Sequence, residues 1–313
     1  MGCPDRLILP FNRAYEFTPL CRASATFAND QPAPARPGGQ VMSFRSFAFR
    51  RQSLAIAALL AATATVQAQG KLEARYGVTM AGLSVGTADF TLDLARDRYT
   101  VAASGRAAGM LSAVVSGEGT VAASGTLRDG RPAPGTFTSR IVREDDKADT
   151  AMTIADGTVV KLVAETPKPV ADRVAVTEAH RKGVVDPISA LLVPMAGASG
   201  VIGKDACERT LPVFDGRRRY DLTLTFKRMD KVKAEKGYAG PVAVCAVKFT
   251  ARAGHRSSSS LVKFLSERDI ELALAPVVGA RLLVPYRVTV ASMFGNLVVE
   301  ATQFDVTTQT AAK

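Results

Sequence analysis

The chain has 313 residues, 47% of them hydrophobic, and carries 40 Lys and Arg against 29 Asp and Glu, a formal net charge of +11. That apolar share is enough for a sizeable core, so the composition is that of a globular protein and not of a disordered one. Trp is absent and aromatics make up only 6%, too few rings for the stacking platforms that bind single-stranded nucleic acid, and nucleic acid is not expected as a partner.

Residues 1–41 carry no apolar periodicity, and Pro32 to Gly39 is rich in Pro and Gly. This stretch reads as an upstream-start artefact, with a disordered extension as the alternative. Residues 42–68 read as a secretory signal peptide. Arg45, Arg50 and Arg51 form its positive region, and Leu54 to Val66 is an uncharged, mostly apolar run of thirteen residues, too short to span a bilayer comfortably. Val66-Gln67-Ala68 presents small residues at the two positions a signal peptidase reads, which puts cleavage before Gln69. Arg50-Arg51 invites a twin-arginine reading, but Ser53 stands where that signal prefers an apolar residue, so the general route is expected. No Cys stands at the cleavage point to carry a lipid anchor. The expectation is a periplasmic protein with no transmembrane segment in the mature chain. Residues 1–68 hold seven Arg and three acidic residues, leaving 33 basic against 26 acidic residues, or +7, in 69–313. That excess by itself favours acidic partners such as anionic lipid or nucleic acid, although the charges are scattered in the manner of a solvated surface.

From residue 69 the chain is dominated by period-two patterns. Tyr76, Val78 and Met80 alternate with Arg75, Gly77 and Thr79. Ala88, Phe90, Leu92 and Leu94 alternate with Thr87, Asp89, Thr91 and Asp93, the mark of a half-buried antiparallel strand. Ala95 to Arg98 makes a turn into a return strand at Tyr99. Thr-Val-Ala-Ala-Ser-Gly occurs at 100–105 and again at 120–125; two copies indicate two similar strands and not a solenoid. Pro132 to Gly135 reads as a turn, Phe137 to Val142 as a strand and Arg143 to Asp149 as a charged loop. Asp156-Gly157 between the apolar runs 151–154 and 159–163 is a strong hairpin signal. A connector over 166–183 comes next.

Asp186 is a good N-cap, Pro187 fits a first helical position, and Ile188, Leu191 and Leu192 share a helical face. This predicts a short helix over 186–196. Strands are then expected at 209–214, 220–226, 242–249, 270–274, 282–290 and 297–304, with Pro285 tolerated only at an edge or a bulge, and a flexible tail over 307–313. The total is ten to twelve strands and one helix, with no β-α-β run and hence no parallel α/β sheet. Residues 69–306 are expected to form a single β-rich domain: a strongly curved antiparallel sheet or partly open β-barrel, with the short helix packed on its concave face.

Cys207 and Cys245 are the two cysteines beyond the leader, and in an exported domain they are most simply a disulfide. Closing a loop of 37 intervening residues would contribute about 3–4 kcal/mol in the chain-entropy model. Two catalytic motifs are matched in form. Gly82-Leu83-Ser84-Val85-Gly86 fits G-x-S-x-G, but the residues after it alternate as a strand where a nucleophile elbow needs a helix. Ser260-Leu261-Val262-Lys263 fits S-x-x-K, without the companion motifs of penicillin-recognising enzymes. His180 and His255 stand alone, without the Cys or carboxylate spacing of a metal site; His255, in the polar stretch Gly254 to Ser260, is the residue an enzyme reading would use. No phosphate-cradling loop or dinucleotide fingerprint is present, and no cofactor is expected. Arg217, Arg218 and Arg219 are the densest basic spot, a candidate patch for phospholipid head groups or another anionic envelope component.

Several segments together resemble the DUF3108 family of exported bacterial proteins of unknown function: Tyr76-Gly77-Val78 through Gly82 and Gly86 to Phe90, Val185-Asp186-Pro187-Ile188-Ser189-Ala190-Leu191, Val213-Phe214-Asp215-Gly216-Arg217-Arg218-Arg219-Tyr220-Asp221-Leu222, Gly254-His255-Arg256, and Val284-Pro285-Tyr286-Arg287 onward. The resemblance spans most of residues 72–306 and implies an exported β-rich domain, with no catalytic residues to carry over. A curved sheet with one helix in its mouth can leave an apolar cavity. The leading expectation is therefore a non-enzymatic binding or carrier protein for a hydrophobic, lipid-like or amphipathic envelope molecule. The alternatives are an envelope-assembly accessory protein acting through the basic 209–236 hairpin, and an enzyme using His255.

Overall fold

The structure is a computed structural model, and it describes residues 69–107, 117–143, 146–164, 170–195 and 202–309; the leader and signal readings over 1–68 lie outside them. Seven strands come first: β1 (Gln69–Met80), β2 (Leu83–Leu94), β3 (Arg98–Ala107), β4 (Glu118–Arg128), β5 (Arg131–Arg143), β6 (Asp146–Ala155) and β7 (Thr158–Ala164). They form an antiparallel meander in which each strand pairs with the next. After a connector and the two-residue β8 (Val193–Pro194) come β9 (Arg209–Phe214), β10 (Arg219–Lys233), β11 (Lys236–Gly237) and β12 (Ala239–Ala253). The helix α1 (Ser260–Glu267) then precedes β13 (Ile270–Pro276), β14 (Leu282–Val290) and β15 (Leu297–Gln309). β15 returns to pair with β1, so one sheet runs β7 to β1, then β15, β14, β13, β12, β10 and β9, with β8 on β14 and β11 on β15.

Local chemistry explains the turns. Ala81-Gly82, Asp129-Gly130 and Asp156-Gly157 have positive φ at both residues, the geometry whose twist matches flanking antiparallel strands. The turn expected at Pro132 to Gly135 is instead the start of β5, because Asp129-Gly130 reverses the chain first. The charged loop expected over 143–149 is largely strand: β6 begins at Asp146, and Arg140 pairs with Asp149 across β5 and β6 at 2.9 Å. The two Thr-Val-Ala-Ala-Ser-Gly copies lie on adjacent strands, Thr100 opposite Ser124 and Ser104 opposite Thr120. Pro285 sits in β14 beside a bulge between Ala273 and Leu274. Thr307, Thr308 and Gln309, expected as tail, pair with Lys71, Gly70 and Gln69.

Two patterns of burial distinguish the halves. In β1 to β6 one face is core, with Leu72, Phe90, Leu92, Tyr99, Val101, Phe137 and Met152 buried, and the other face is open. In β12 to β14 both faces are covered. Val242, Val244, Ala273 and Val284 enter the same inner core, whereas Ala243, Cys245, Leu274 and Leu283 join Val193, Ala206, Cys207 and Leu224 in an outer one. That is why Val242 to Val247 and Leu282 to Val284 read as unbroken apolar runs, while β2 alternates. The described residues form fifteen strands where ten to twelve were expected.

The helix expected over 186–196 is not formed. The Asp186 carboxylate does cap a turn, accepting the backbone N–H groups of Ile188 (3.1 Å) and Ser189 (2.8 Å), but only a 3₁₀ turn, Ser189–Leu191, is built on it. The backbone is recruited by strands on either side. The Val185 N–H donates to the Pro212 carbonyl, the Phe214 N–H donates to the Val185 carbonyl, and Val193–Pro194 pairs with Leu282–Leu283. A marginal helix loses to these tertiary hydrogen bonds. The segment 184–195 is therefore a strap with Val184, Ile188 and Leu192 in the inner core, crossing to the outer core at Val193. It also joins the two ends of the sheet, since the Val184 N–H donates to the Gly157 carbonyl of the β6–β7 turn while Val185 bridges β9. β7 and β9 do not pair with each other, so the sheet is curled and not closed into a barrel. The α-helix of the described residues is α1, capped by Ser259, whose Oγ accepts the Val262 N–H.

Candidate functional site

Open space lies beside Pro187 of the strap, at the end of the sheet where the β9–β10 turn meets the β5–β6 hairpin. A cavity of about 410 Å³ lies there, lined by Val121, Phe137, Ile141, Ala148, Thr150 and Ser139 of β4 to β6 on one side. Pro187 of the strap, Tyr220 of β10 and Asp215, Arg217 and Arg218 of the β9–β10 turn line the other. Its lining is mixed: Val121, Phe137, Ile141, Ala148 and Pro187 are interleaved with Ser139 and Thr150, and the charged groups Asp215, Arg217 and Arg218 sit on one rim. The space at the mouth is therefore of mixed polarity, and not the apolar cavity expected of a curved sheet with a helix in its mouth. A larger groove of about 720 Å³ lies on the outer face. Its lining includes Ala102, Ser104, Thr120 and Ala122, the small outward residues of the repeated hexapeptide.

The rim is held by the Asp-Gly turn. Asp215 Oδ1 accepts the N–H groups of Arg217 (2.8 Å) and Arg218 (2.6 Å). Gly216 has φ +93°, and a Cβ there would strike Thr150 Cγ2 of β6, so glycine lets the turn seat against the opposite end of the sheet. The three arginines do not form one patch. Arg217 and Arg218 line the cavity, whereas Arg219 is inside β10, pairing with Asp221 at 2.5 Å, and Asp221 also pairs with Arg252 at 2.7 Å. The rest of the basic 209–236 span is largely committed: the Arg209 guanidinium donates to the Pro194 and Asp205 carbonyls, and Lys227 and Arg228 bind Glu271. Those two cations hold the Glu271 carboxyl down at about 2.

Beneath the cavity floor, Asp186 is fully buried. Its Oδ2 finds no hydrogen-bond partner, and burial pushes its pKa above the usual carboxylate range against the opposing effect of the bonds to Ser189 and Ile188. Ser189 Oγ hydrogen-bonds the Tyr99 hydroxyl at 2.8 Å. Tyr99 and Tyr220 are both pushed up, chiefly by burial, with Asp186 adding to each. In the sequence Asp186 stands out as a cap only. Tyr99, Ser189 and Tyr220 occupy ordinary strand and helix positions there, and nothing local marks them as neighbours across the sheet.

The disulfide expected between Cys207 and Cys245 is formed, with a Cα–Cα distance of 5.4 Å and both side chains fully buried; such a bond fits an exported protein folding in an oxidising compartment. Ser84 lies in β2 just after the Ala81-Gly82 turn, and Ser260 and Lys263 lie on α1. The His255 ring Nδ1 is buried without a hydrogen-bond partner, while the carboxylate in contact with its loop, Asp172, is bound by Arg256 and Ser258. Among the described residues, no group of three or more His, Cys, Asp or Glu could hold a metal ion, and no helix is long and apolar enough to cross a membrane.

Comparison with solved structures finds a β-barrel-like protein from the DUF1849 domain of unknown function of Brucella abortus. It is 14% identical, covering 77% of this chain and 98% of that one, at a TM-score of 0.42. A candidate lipoprotein of Parabacteroides distasonis is 9% identical over 76% of this chain and 96% of its own, at 0.32. A hypothetical protein of Chlamydia trachomatis is 11% identical over 77% and 89%, at 0.24. No curated protein matches. A family model for a protein of unknown function, DUF3108, matches residues 75–302, which include the strap, the Asp215–Tyr220 rim and all of β2 to β14, and the chain therefore belongs to the DUF3108 family.

Proposed function

We propose that this protein is a periplasmic, non-enzymatic binding protein for a hydrophobic or amphipathic molecule of the cell envelope, held at the mouth of the curled sheet. The observation that carries the reading is the cavity of about 410 Å³ with Phe137, Val121 and Ile141 on its wall and Arg217 and Arg218 on its rim. The apolar side chains on the wall would take a chain or ring, and guanidinium groups at the rim would orient a polar end. The disulfide and the signal-like segment over 42–68 support export to an oxidising compartment. The alternative of protein contacts through the basic hairpin is less favoured, because Arg209, Arg219, Lys227 and Arg228 already have partners within the chain.

Native mass spectrometry of protein purified gently from the periplasm tests the reading. The expected result is a discrete added mass that disappears on organic extraction. The chain contains no Trp, so Ile141→Trp, at a position 41% exposed on the cavity wall, provides a single fluorescent reporter. Its emission is expected to shift blue on addition of a lipid-like probe to extracted protein. A bare mass together with an unchanged Trp spectrum would reject the proposal.

A further inference from the structure

The three most exposed large hydrophobic side chains among the described residues are Phe294 (81%), Met293 (76%) and Leu83 (65%). Met293 and Phe294 stand in the β14–β15 loop and Leu83 at the start of β2. The sheet brings them to one place, because Leu297 of β15 pairs with Met80 of β1 on one side and with Val290 of β14 on the other. The β1–β2 turn and the β14–β15 loop are therefore neighbouring tips. The same antiparallel pairing puts the β5–β6 hairpin and the β9–β10 turn, which frame the mouth cavity, at this end of the sheet. In the strand order the β1–β2 hairpin stands between the β14–β15 loop and β3.

The exposed loop is held in shape. The Ala81 N–H donates to the Asn296 carbonyl at 3.0 Å, and the Ala291 N–H donates to the Asp269 carbonyl at 3.0 Å. Ser292 Oγ donates to the Gly295 carbonyl and accepts the Phe294 N–H. Gly295 has φ +104°, and a Cβ there would strike Ala81, so the two tips pack backbone to backbone. Met293 and Phe294 are thus presented outward by a fixed turn. Residues 76–88 and 288–299, which hold both tips, contain no Asp, Glu, Lys or Arg. Single exposed hydrophobic residues are ordinary, but the three largest exposures gathered on one uncharged tip mark an interaction surface. Three side chains of this size would bury roughly 400 to 600 Å², below the ~800 Å² per partner of a stable protein interface. A fluid apolar phase needs no such area and no complementary groove, and an uncharged tip enters it without stripping water from ions.

We propose that the β14–β15 loop docks on a lipid bilayer surface, with Met293 and Phe294 inserted among the acyl chains and Leu83 beside them. The docking surface goes beyond the binding function proposed for the mouth and stands without it, since none of the three residues lines that cavity. Flotation of the purified protein with vesicles of phosphatidylethanolamine containing a minor share of phosphatidylglycerol tests it. The protein is expected to float with the vesicles and to remain bound at high salt, which screens exposed charges. A Met293→Ser/Phe294→Ser double variant is expected to lower the partition at least tenfold, the scale for keeping two large apolar side chains out of the apolar phase. Its melting temperature should match the parent's, because both side chains are mostly exposed. The chain has no Trp, so Phe294→Trp supplies a single reporter that keeps the test open even where the double variant melts lower. Its emission should shift blue on vesicle addition and be quenched by brominated lipid. Absence from the floated fraction, equal flotation of parent and double variant, or an unshifted Trp in bound protein would overturn the proposal. A concentration-dependent dimer that the double variant loses, with no vesicle uptake, would overturn it in favour of a second copy of this chain. Vesicle binding through Phe294 by a protein with a bare native mass and a silent Ile141→Trp reporter would sustain the docking surface and reject the mouth cavity. A responsive Ile141→Trp in protein that stays off vesicles would do the reverse.

Discussion

Asp186 concentrates two opposed demands on one side chain. Its Oδ1 caps the 3₁₀ turn through Ile188 and Ser189, and its Oδ2 is buried without a partner. The folded state therefore holds the Asp186 proton more tightly than the unfolded chain does, where an aspartate titrates near ~3.9. Between that value and the raised folded value the native state binds more protons, so this residue makes stability fall as pH rises. Asp186→Asn keeps an acceptor for both N–H groups and removes the charge; urea denaturation across pH 4 to 8 should show a flatter loss of stability than in the parent. Asp186→Ala removes the cap and should cost about 1–3 kcal/mol at pH 5; an unchanged midpoint would show that the turn does not depend on it. Gly254 is a second residue with no tolerance, because any Cβ meets the Arg217 carbonyl at a positive φ. Gly254→Ala should cost about 3 kcal/mol or more in thermal denaturation and should loosen the rim. Both residues stand in stretches that are conspicuous in the sequence. Their surroundings are not: Gly254 packs on Arg217, and the turn that Asp186 caps is tied to Tyr99 through Ser189, both across long separations.

At the scale of elements, the outer face of β10 to β14 depends on the strap's end and the segment after it. Val193, Ala206 and Cys207 cover Leu224, Ala243, Leu274 and Leu283, and the Cys207–Cys245 disulfide ties that cover down across a separation of 38 residues. Constraint of the unfolded chain alone implies about 3–4 kcal/mol. A Cys207→Ala/Cys245→Ala double variant should melt roughly 10 °C lower, and because both sulfurs are fully buried, reduction of the parent should proceed only as fast as the segment opens. An unaltered melting temperature would place the stabilisation elsewhere. The two helical stretches show how an element's pattern can mislead. Residues 186–192 have the cap and spacing of a helix but sit where β9 and β14 offer hydrogen bonds, so the backbone takes those. Leu261, Phe264 and Leu265 have helical spacing behind the Ser259 cap and do form α1, yet none of α1 is buried. Its weak apolar stripe lies behind a run of serines that reads as a loop.

At the scale of the whole molecule, two carboxyls held down at about 2, Asp172 and Glu271, act opposite to Asp186. Their folded values lie below the unfolded ones, so the stability they contribute is present above about pH 4 and is lost as pH falls toward 2. Stability should therefore pass through a maximum on the acid side of neutrality, and Glu271→Gln should reduce the loss between pH 4 and 2; a monotonic profile would contradict the assignment of both signs. The sequence alone determined the β class, most strand positions, the Asp156-Gly157 hairpin and the cysteine pairing. Those depend on period-two alternation, turn residues whose φ is set by their own side chains, and there being two cysteines beyond residue 68. The tertiary structure alone decided that the sheet curls until its ends meet at the strap, that residues 186–192 lie as a strap and not a helix, and that Arg217 separates from Arg219 to line the mouth cavity. Each of these is set by contacts between residues far apart in the chain, Val184 on Gly157, Gly216 on Thr150 and Gly254 on Arg217. Such contacts carry no periodicity, because a chain's local pattern records which face of a strand is buried and not what it is buried against.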